Sequence, residues 1–132
     1  MLNRLLIFFF NIVKYRFFFF KTKCLSYFFN FTKPTVLSRD IELSKKIVIY
    51  GFGPYGEEIF VELFSKNRIE GVYDKKFEFF GSFVEDPNLI NSKEFEYVVV
   101  TVMDDNTRKT VINFLKEKNI PEEKIIYVDY VN

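Results

Sequence analysis

Lys45-Lys46-Ile47-Val48-Ile49-Tyr50-Gly51-Phe52-Gly53-Pro54-Tyr55-Gly56 carries a short apolar run directly into three glycines spaced G-x-G-x-x-G. The run is continuous rather than alternating, which predicts a strand covered on both faces in a parallel sheet. Pro54 suits the first helical position, where its missing N–H costs nothing, and Ile59, Phe60, Leu63 and Phe64 then recur at helical spacing to about Lys66. The stretch predicts strand, tight turn and helix. In that context Gly51 permits the turn, Gly53 lets a phosphate approach the backbone, and Gly56 lets the helix sit close on the strand. Asp74, eighteen residues after Gly56, ends a second predicted strand over 69–73, where an acidic side chain accepts from ribose hydroxyls.

Working outward, residues 95–102 form the strongest strand signal of the chain, because β-branched residues dominate them. Asp104 or Asp105 caps the next helix, whose buried face is Val111, Ile112 and Leu115; Asn119 and Pro121 stop it, and 125–128 closes with a last strand. A short strand over 82–84 and a turn at Asp86-Pro87 fill the interval. Strands alternating with helices predict an α/β fold of three layers. Its mostly parallel sheet has four main strands in the order 2-1-3-4, counted from Ile47, with right-handed crossovers. Ligands of such sheets bind where the strand order reverses, at the carboxyl ends. There Gly51, Phe52, Gly53, Pro54, Tyr55 and Gly56 would meet Asp74 on one side and Thr101 and Val102 on the other. The helix start offers a phosphate its N–H groups and dipole, while Glu57 and Glu58 in the first turn oppose one unless they point away. Tyr55 stacks on a base or sugar, or covers the helix start. Asp104 and Asp105 fit helix caps better than metal ligands, so no metal is expected.

Charge divides the chain. Residues 1–39 carry seven basic side chains and no acidic one, whereas residues 40–132 hold twelve basic against eighteen acidic, a balance of −6. The boundary at 39/40 separates a basic, Phe-rich N-terminal segment from the α/β domain. Ten of the nineteen phenylalanines precede residue 32, more than a water-facing surface would leave exposed. The longest uncharged runs there, 5–13 and 24–32, have nine residues each, against about 20 for a membrane span. A signal peptide fits poorly, since Lys14 and Arg16 close the first run without a small-residue cleavage site. Contact with a membrane surface through residues 1–33 suits the mixture of cations and aromatics, although Arg16 and Lys23 fall nearly opposite Arg4, Lys14 and Lys21 on a helical wheel. A segment whose partner domain is missing and a compositionally biased stretch without a fold stay open. With no histidine and the single Cys24, histidine-based catalysis and disulfide stapling are excluded.

The KIVIYGFGPYGEEI, EGVYD, Pro87-x-Leu89, EYVVVTV and LKEKNIPEEKII segments resemble a Rossmann-like domain of surface-polysaccharide and nucleotide-sugar enzymes. Similar domains accompany polysaccharide-biosynthesis dehydratases, sugar acetyltransferases and sugar C-methyltransferases. The resemblance spans residues 45–129 and implies a nucleotide-type small molecule, NAD or a nucleotide sugar such as a UDP-sugar, with no nucleic acid. The single Cys24 suits a reducing, cytoplasmic setting, peripheral to the inner face of the membrane if the N-terminal segment meets lipid. The departures lie in catalysis. No tyrosine has lysine four positions on, no histidine stands in the glycine loop, Ile49 replaces the acid usual in S-adenosylmethionine sites, and Asp104-Asp105 is not Asp-x-Asp. No catalytic residue is assigned. The expectation is a nucleotide-binding module, and four strands are about half of a dinucleotide fold, so a whole NAD site calls for a homodimer or a missing catalytic domain. A partner-dependent or truncated NAD-dependent sugar-nucleotide oxidoreductase or epimerase, and a membrane-tethered interaction protein, remain alternatives.

Overall fold

Alternation divides the apolar run at its centre: Ile47 and Ile49 join one hydrophobic cluster, Val48 and Tyr50 another on the opposite face of the sheet. The computed structural model describes residues 2–16 and 36–129. Five strands, β1 (Val36–Leu37), β2 (Lys46–Tyr50), β3 (Arg68–Tyr73), β4 (Tyr97–Val100) and β5 (Ile125–Asp129), form one sheet in the order β1-β5-β4-β2-β3. All neighbours are parallel except β1 and β5. Helix α1 (Leu2–Lys14) and helix α2 (Pro54–Leu63) pack on the face of Ile47 and Ile49, and helix α3 (Asp105–Glu117) packs on the other.

The strand count and the written order differ from the four-strand 2-1-3-4 expectation. The addition is β1, whose two residues pair antiparallel with Asp129 and Val128 along the outer edge of β5. Two residues carry no periodicity, so this edge strand leaves no sequence signal. Nor does a strand form over 82–84. Residues Phe77–Phe83 wind as 3₁₀ turns kinked at Gly81, and only Glu85 bridges to Tyr73. The turn expected at Asp86-Pro87 opens a further 3₁₀ segment, Pro87–Ser92, in which the Asp86 carboxylate accepts from the Asn88 N–H at 3.0 Å.

A bulge shapes β3. Ile69 pairs with Ile47 but Gly71 with Val48, so Glu70 is an extra residue, and Ile69 and Val72 both reach the cluster under α1 and α2. Gly71 lacks a side chain because the buried Tyr73 ring lies over it; a β-carbon there would stand 2.9 Å from the ring. Asn119 ends α3 with a left-handed φ of 63°, letting the Ile120 N–H donate back to Leu115 at 3.0 Å.

Helix α1, from the basic segment, lies against the α/β domain. Asn11 is fully buried, donating to the carbonyls of Phe64 (2.5 Å) and Asn67 (2.9 Å) and accepting from the Ile69 N–H at 3.3 Å. The Tyr15 hydroxyl donates to the Ile69 carbonyl at 2.9 Å, and Lys14 donates to that of Glu70. The Glu85 N–H takes the Val72 carbonyl at 2.9 Å. These bonds occupy outward-facing groups of the edge strand β3, which would otherwise template pairing with another chain. Burial lowers the Lys14 pKa despite the neighbouring Glu70 carboxylate, and burial raises that of the Tyr15 hydroxyl. The run 24–32, part of the stretch assigned to membrane contact, lies outside the described residues.

At the opposite end of the sheet Glu96 joins two strands. Its carboxylate accepts from the Lys46 N–H at 2.7 Å and pairs with Lys45 at 3.4 Å, and these hold its pKa below the ordinary 4.5. A depressed native pKa stabilises the fold above the ordinary value and loses that contribution as pH falls through the native one. Between about pH 6 and about pH 3, Glu96→Gln is expected to show a shallower fall in the urea midpoint than the wild-type chain. Parallel curves would remove Glu96 from the acid response.

Candidate functional site

β2 ends at Tyr50, and Gly51 turns the chain with a φ of 107°, its N–H donating to the Tyr73 carbonyl at 2.7 Å. That φ suits glycine alone, and a β-carbon here would also meet the Thr101 hydroxyl at 2.5 Å. Thr101, buried just beyond β4, donates its hydroxyl to the carbonyls of Tyr50 (3.2 Å) and Gly51 (2.8 Å), while its N–H also reaches Tyr50 at 2.9 Å. Thr101 clamps the turn from the neighbouring strand.

Asp74 bridges from the other side. Its Oδ2 accepts from the Phe52 N–H and its Oδ1 from the Lys76 N–H, each at 2.7 Å. Carboxylates have about four acceptor positions, so each oxygen keeps room for a further donor. Its charge also acts, after burial, to raise the pKa of Tyr50. The Phe52 side chain turns inward, with its ring centroid 4.9 Å from Phe83, 5.7 Å from Phe80 and 6.2 Å from Phe60. Only its backbone faces the turn. Phe80, which the sequence leaves in a loop, and Phe83, which it places in a short strand over 82–84, pack their rings against Phe52 beneath the turn; scattered phenylalanines carry no period that announces this.

The glycines differ in what surrounds them. Gly56 lies against the turn: a β-carbon would stand 2.8 Å from the Gly51 carbonyl carbon and nearer still to its oxygen. Gly53 is the N-cap of α2, with φ −73° and ψ −166°, and a β-carbon there would meet nothing within 4 Å. No side chain caps this helix, and Pro54 at its first position has no N–H. Pro54 and Tyr55 are exposed at the mouth, as is Glu58, with Glu57 half-buried.

After Thr101 the chain leaves β4 through Val102, whose carbonyl accepts from the Arg108 Nε at 3.3 Å. Arg108 also donates to the Val128 carbonyl at 2.9 Å and lies over the Tyr127 ring, 4.8 Å from its centroid. Asp104 caps α3 by accepting from the Thr107 N–H (2.9 Å) and hydroxyl (2.8 Å), and the backbone bond is the main cause of its lowered pKa. Among the described residues no group of three histidine, cysteine or carboxylate side chains could hold a metal ion. A cleft of about 750 Å³ opens beside this cap between Met103, Asp104, Arg108 and Asp129, and another of about 420 Å³ lies between Arg4, Ile41, Leu63 and Lys66. The walls of neither include the glycine turn. The larger cleft gathers Asp104, Asp105 and Asp129 together with Arg108 and Lys109.

No family model matches the sequence, and no curated protein does.

Proposed function

We propose that the protein binds a nucleotide or nucleotide sugar, of the NAD or UDP-sugar type, through a Rossmann-like site in which the 51–56 turn receives the phosphate and Asp74 the ribose. Gly53 is the observation that carries this reading. Gly51 and Gly56 are accounted for by the fold itself, through a left-handed φ in one and backbone contact in the other. Gly53 is accounted for only as the N-cap of α2, a position glycine shares with other small residues: its φ suits any residue, its β-carbon would enter open space, and serine or aspartate would cap the helix through a side chain as well. A glycine in that position fits a ligand that must lie against the backbone at a helix N-terminus, where dipole and N–H groups favour an anion. Asp74 retains acceptor positions for ribose hydroxyls, and its charge favours a free 2′-hydroxyl over a 2′-phosphate. The setting in sugar-nucleotide and polysaccharide metabolism follows from the sequence resemblance alone, and the proposal is one of binding.

The test is thermal stabilisation by NAD, NADP, UDP-sugars, CDP-sugars and S-adenosylmethionine. A ligand at 100 times its dissociation constant adds about 2.7 kcal/mol. We expect one of the first four classes to raise the melting temperature, NAD more than NADP if the ligand is a dinucleotide, and Gly53→Val to abolish the rise while the ligand-free protein falls only by the small cost of a poorer helix cap. No stabilisation by any compound, or stabilisation that survives Gly53→Val, would make the turn purely structural.

A further inference from the structure

Helix α1 is apolar on two opposite faces, and only one of them is used by the fold. Ile7, Phe8, Asn11 and Tyr15 face the domain, whereas Leu5 (51% exposed), Leu6 (59%), Phe9 (54%) and Val13 (75%) form a stripe at i, i+1, i+4 and i+8 on the outer side. Helices apolar all round are buried on all sides. Something outside the described fold suits this stripe, and charge says what. Residues 2–16 hold three cations and no carboxylate; Lys14 is turned onto Glu70, whereas Arg4 and Arg16 are exposed, and residues 40–132 are acidic overall. Two copies meeting through α1 would bring like charges together. An anionic surface is complementary to this helix and repels the rest of the molecule, which fixes one orientation.

We propose that α1 is an interfacial anchor whose Leu5, Leu6, Phe9 and Val13 enter the headgroup boundary of an anionic bilayer while its inner face stays docked on β3. No helix among the described residues is long and apolar enough to cross a membrane, so the anchor lies along the surface. The Asn11 bonds to Phe64, Asn67 and Ile69 make it rigid with the domain. A helix carrying its own folded domain in this way presents the stripe in a fixed attitude instead of folding on contact with lipid.

The chain has no tryptophan, so a single one reports its own surroundings. Phe9→Trp in the full chain is expected to blue-shift its emission on mixing with vesicles containing phosphatidylserine, and not with phosphatidylcholine alone. Asn113→Trp, exposed on α3 at the other face of the sheet, is expected to stay unshifted. Salt should weaken the response, since the Debye length shrinks to about 3 Å at 1 M. The exposed-face variant Leu6→Asn/Phe9→Asn/Val13→Asn should keep its melting temperature and lose vesicle binding by at least about tenfold. No shift for Phe9→Trp, an equal shift for Asn113→Trp, or vesicle binding that survives the triple variant overturns the proposal. So does a dimer, measured by sedimentation equilibrium, that the triple variant dissolves in the absence of any lipid binding.

Discussion

Gly56→Ala is expected to reduce the unfolding free energy by about 3 kcal/mol or more, while Gly53→Ala, three residues earlier in the same motif, changes it by less than about 0.5 kcal/mol. The contrast follows from what each β-carbon would touch. At Gly56 it would overlap the Gly51 carbonyl, a backbone group already fixed by the Thr101 hydroxyl at 2.8 Å. Relief would require α2 to move off the sheet, lifting Ile59, Phe60 and Leu63 out of the core they share with β2. Overpacking against side chains is softened by rotamer changes; backbone has none. Gly51→Ala should fall between the two, because a positive φ strains alanine by about 1 to 3 kcal/mol and Thr101 can rotate partly aside. Urea denaturation of the three variants orders them. Equal stability of Gly56→Ala and Gly53→Ala would mean that the turn does not lie on the helix as described.

The same contrast shows how far the sequence could be read. A motif assigns roles to three glycines at once, yet only the structure separates the two whose β-carbons would clash from the one whose β-carbon would enter open space. The strands of the core were legible because burial on both faces leaves an unbroken apolar run, as in Ile47–Val48–Ile49 and Val98–Val99–Val100. The cap of α3 was legible too, since Asp104 stands before a helical period and bonds Thr107 as such a residue does. What escaped were features with no period: the two-residue β1, the bulge at Glu70, and the 3₁₀ turns over Phe77–Phe83, at whose end Phe83 and Val84 mimic a short strand.

Within the site, Asp74 and Thr101 were legible as residues near the turn but not as parts of its frame. The motif makes Asp74 a ribose contact, and in the structure it accepts from two backbone N–H groups. The sequence places Thr101 beside the loop as a ligand contact, and in the structure its hydroxyl holds Tyr50 and Gly51. Phe52 joins the turn through its backbone and the core through its ring. Such double use follows from tight geometry at a strand end, where few groups fit and each takes several bonds. Residue identity alone records one of those bonds at most.

Asn11→Leu is expected to lower stability by about 3 to 5 kcal/mol, because three buried backbone groups lose their partners at about 1 to 3 kcal/mol each and the added apolar burial offsets only part. The sequence hid this residue: one asparagine within Leu5 to Val13 reads as a flaw in an apolar run. In the fold it closes the end of α2 and the edge of β3 together, since Phe64 and Asn67 lie at the helix end and Ile69 begins the exposed strand edge. Leucine fills the space and bonds none of them, so α1 should loosen and the Ile69 amide should lose protection in hydrogen exchange before global unfolding. Asn11→Asp separates polarity from shape. Its new carboxylate can still accept from Ile69 but faces two carbonyl oxygens that need donors, so the native state favours the protonated form and raises its pKa. The destabilisation is then fullest at neutral pH and eases as pH falls through that raised value, which Asn11→Leu cannot imitate. A wild-type midpoint for Asn11→Leu would detach α1 from β3, and an Asn11→Asp penalty independent of pH would show that the carbonyls of Phe64 and Asn67 do not face this side chain.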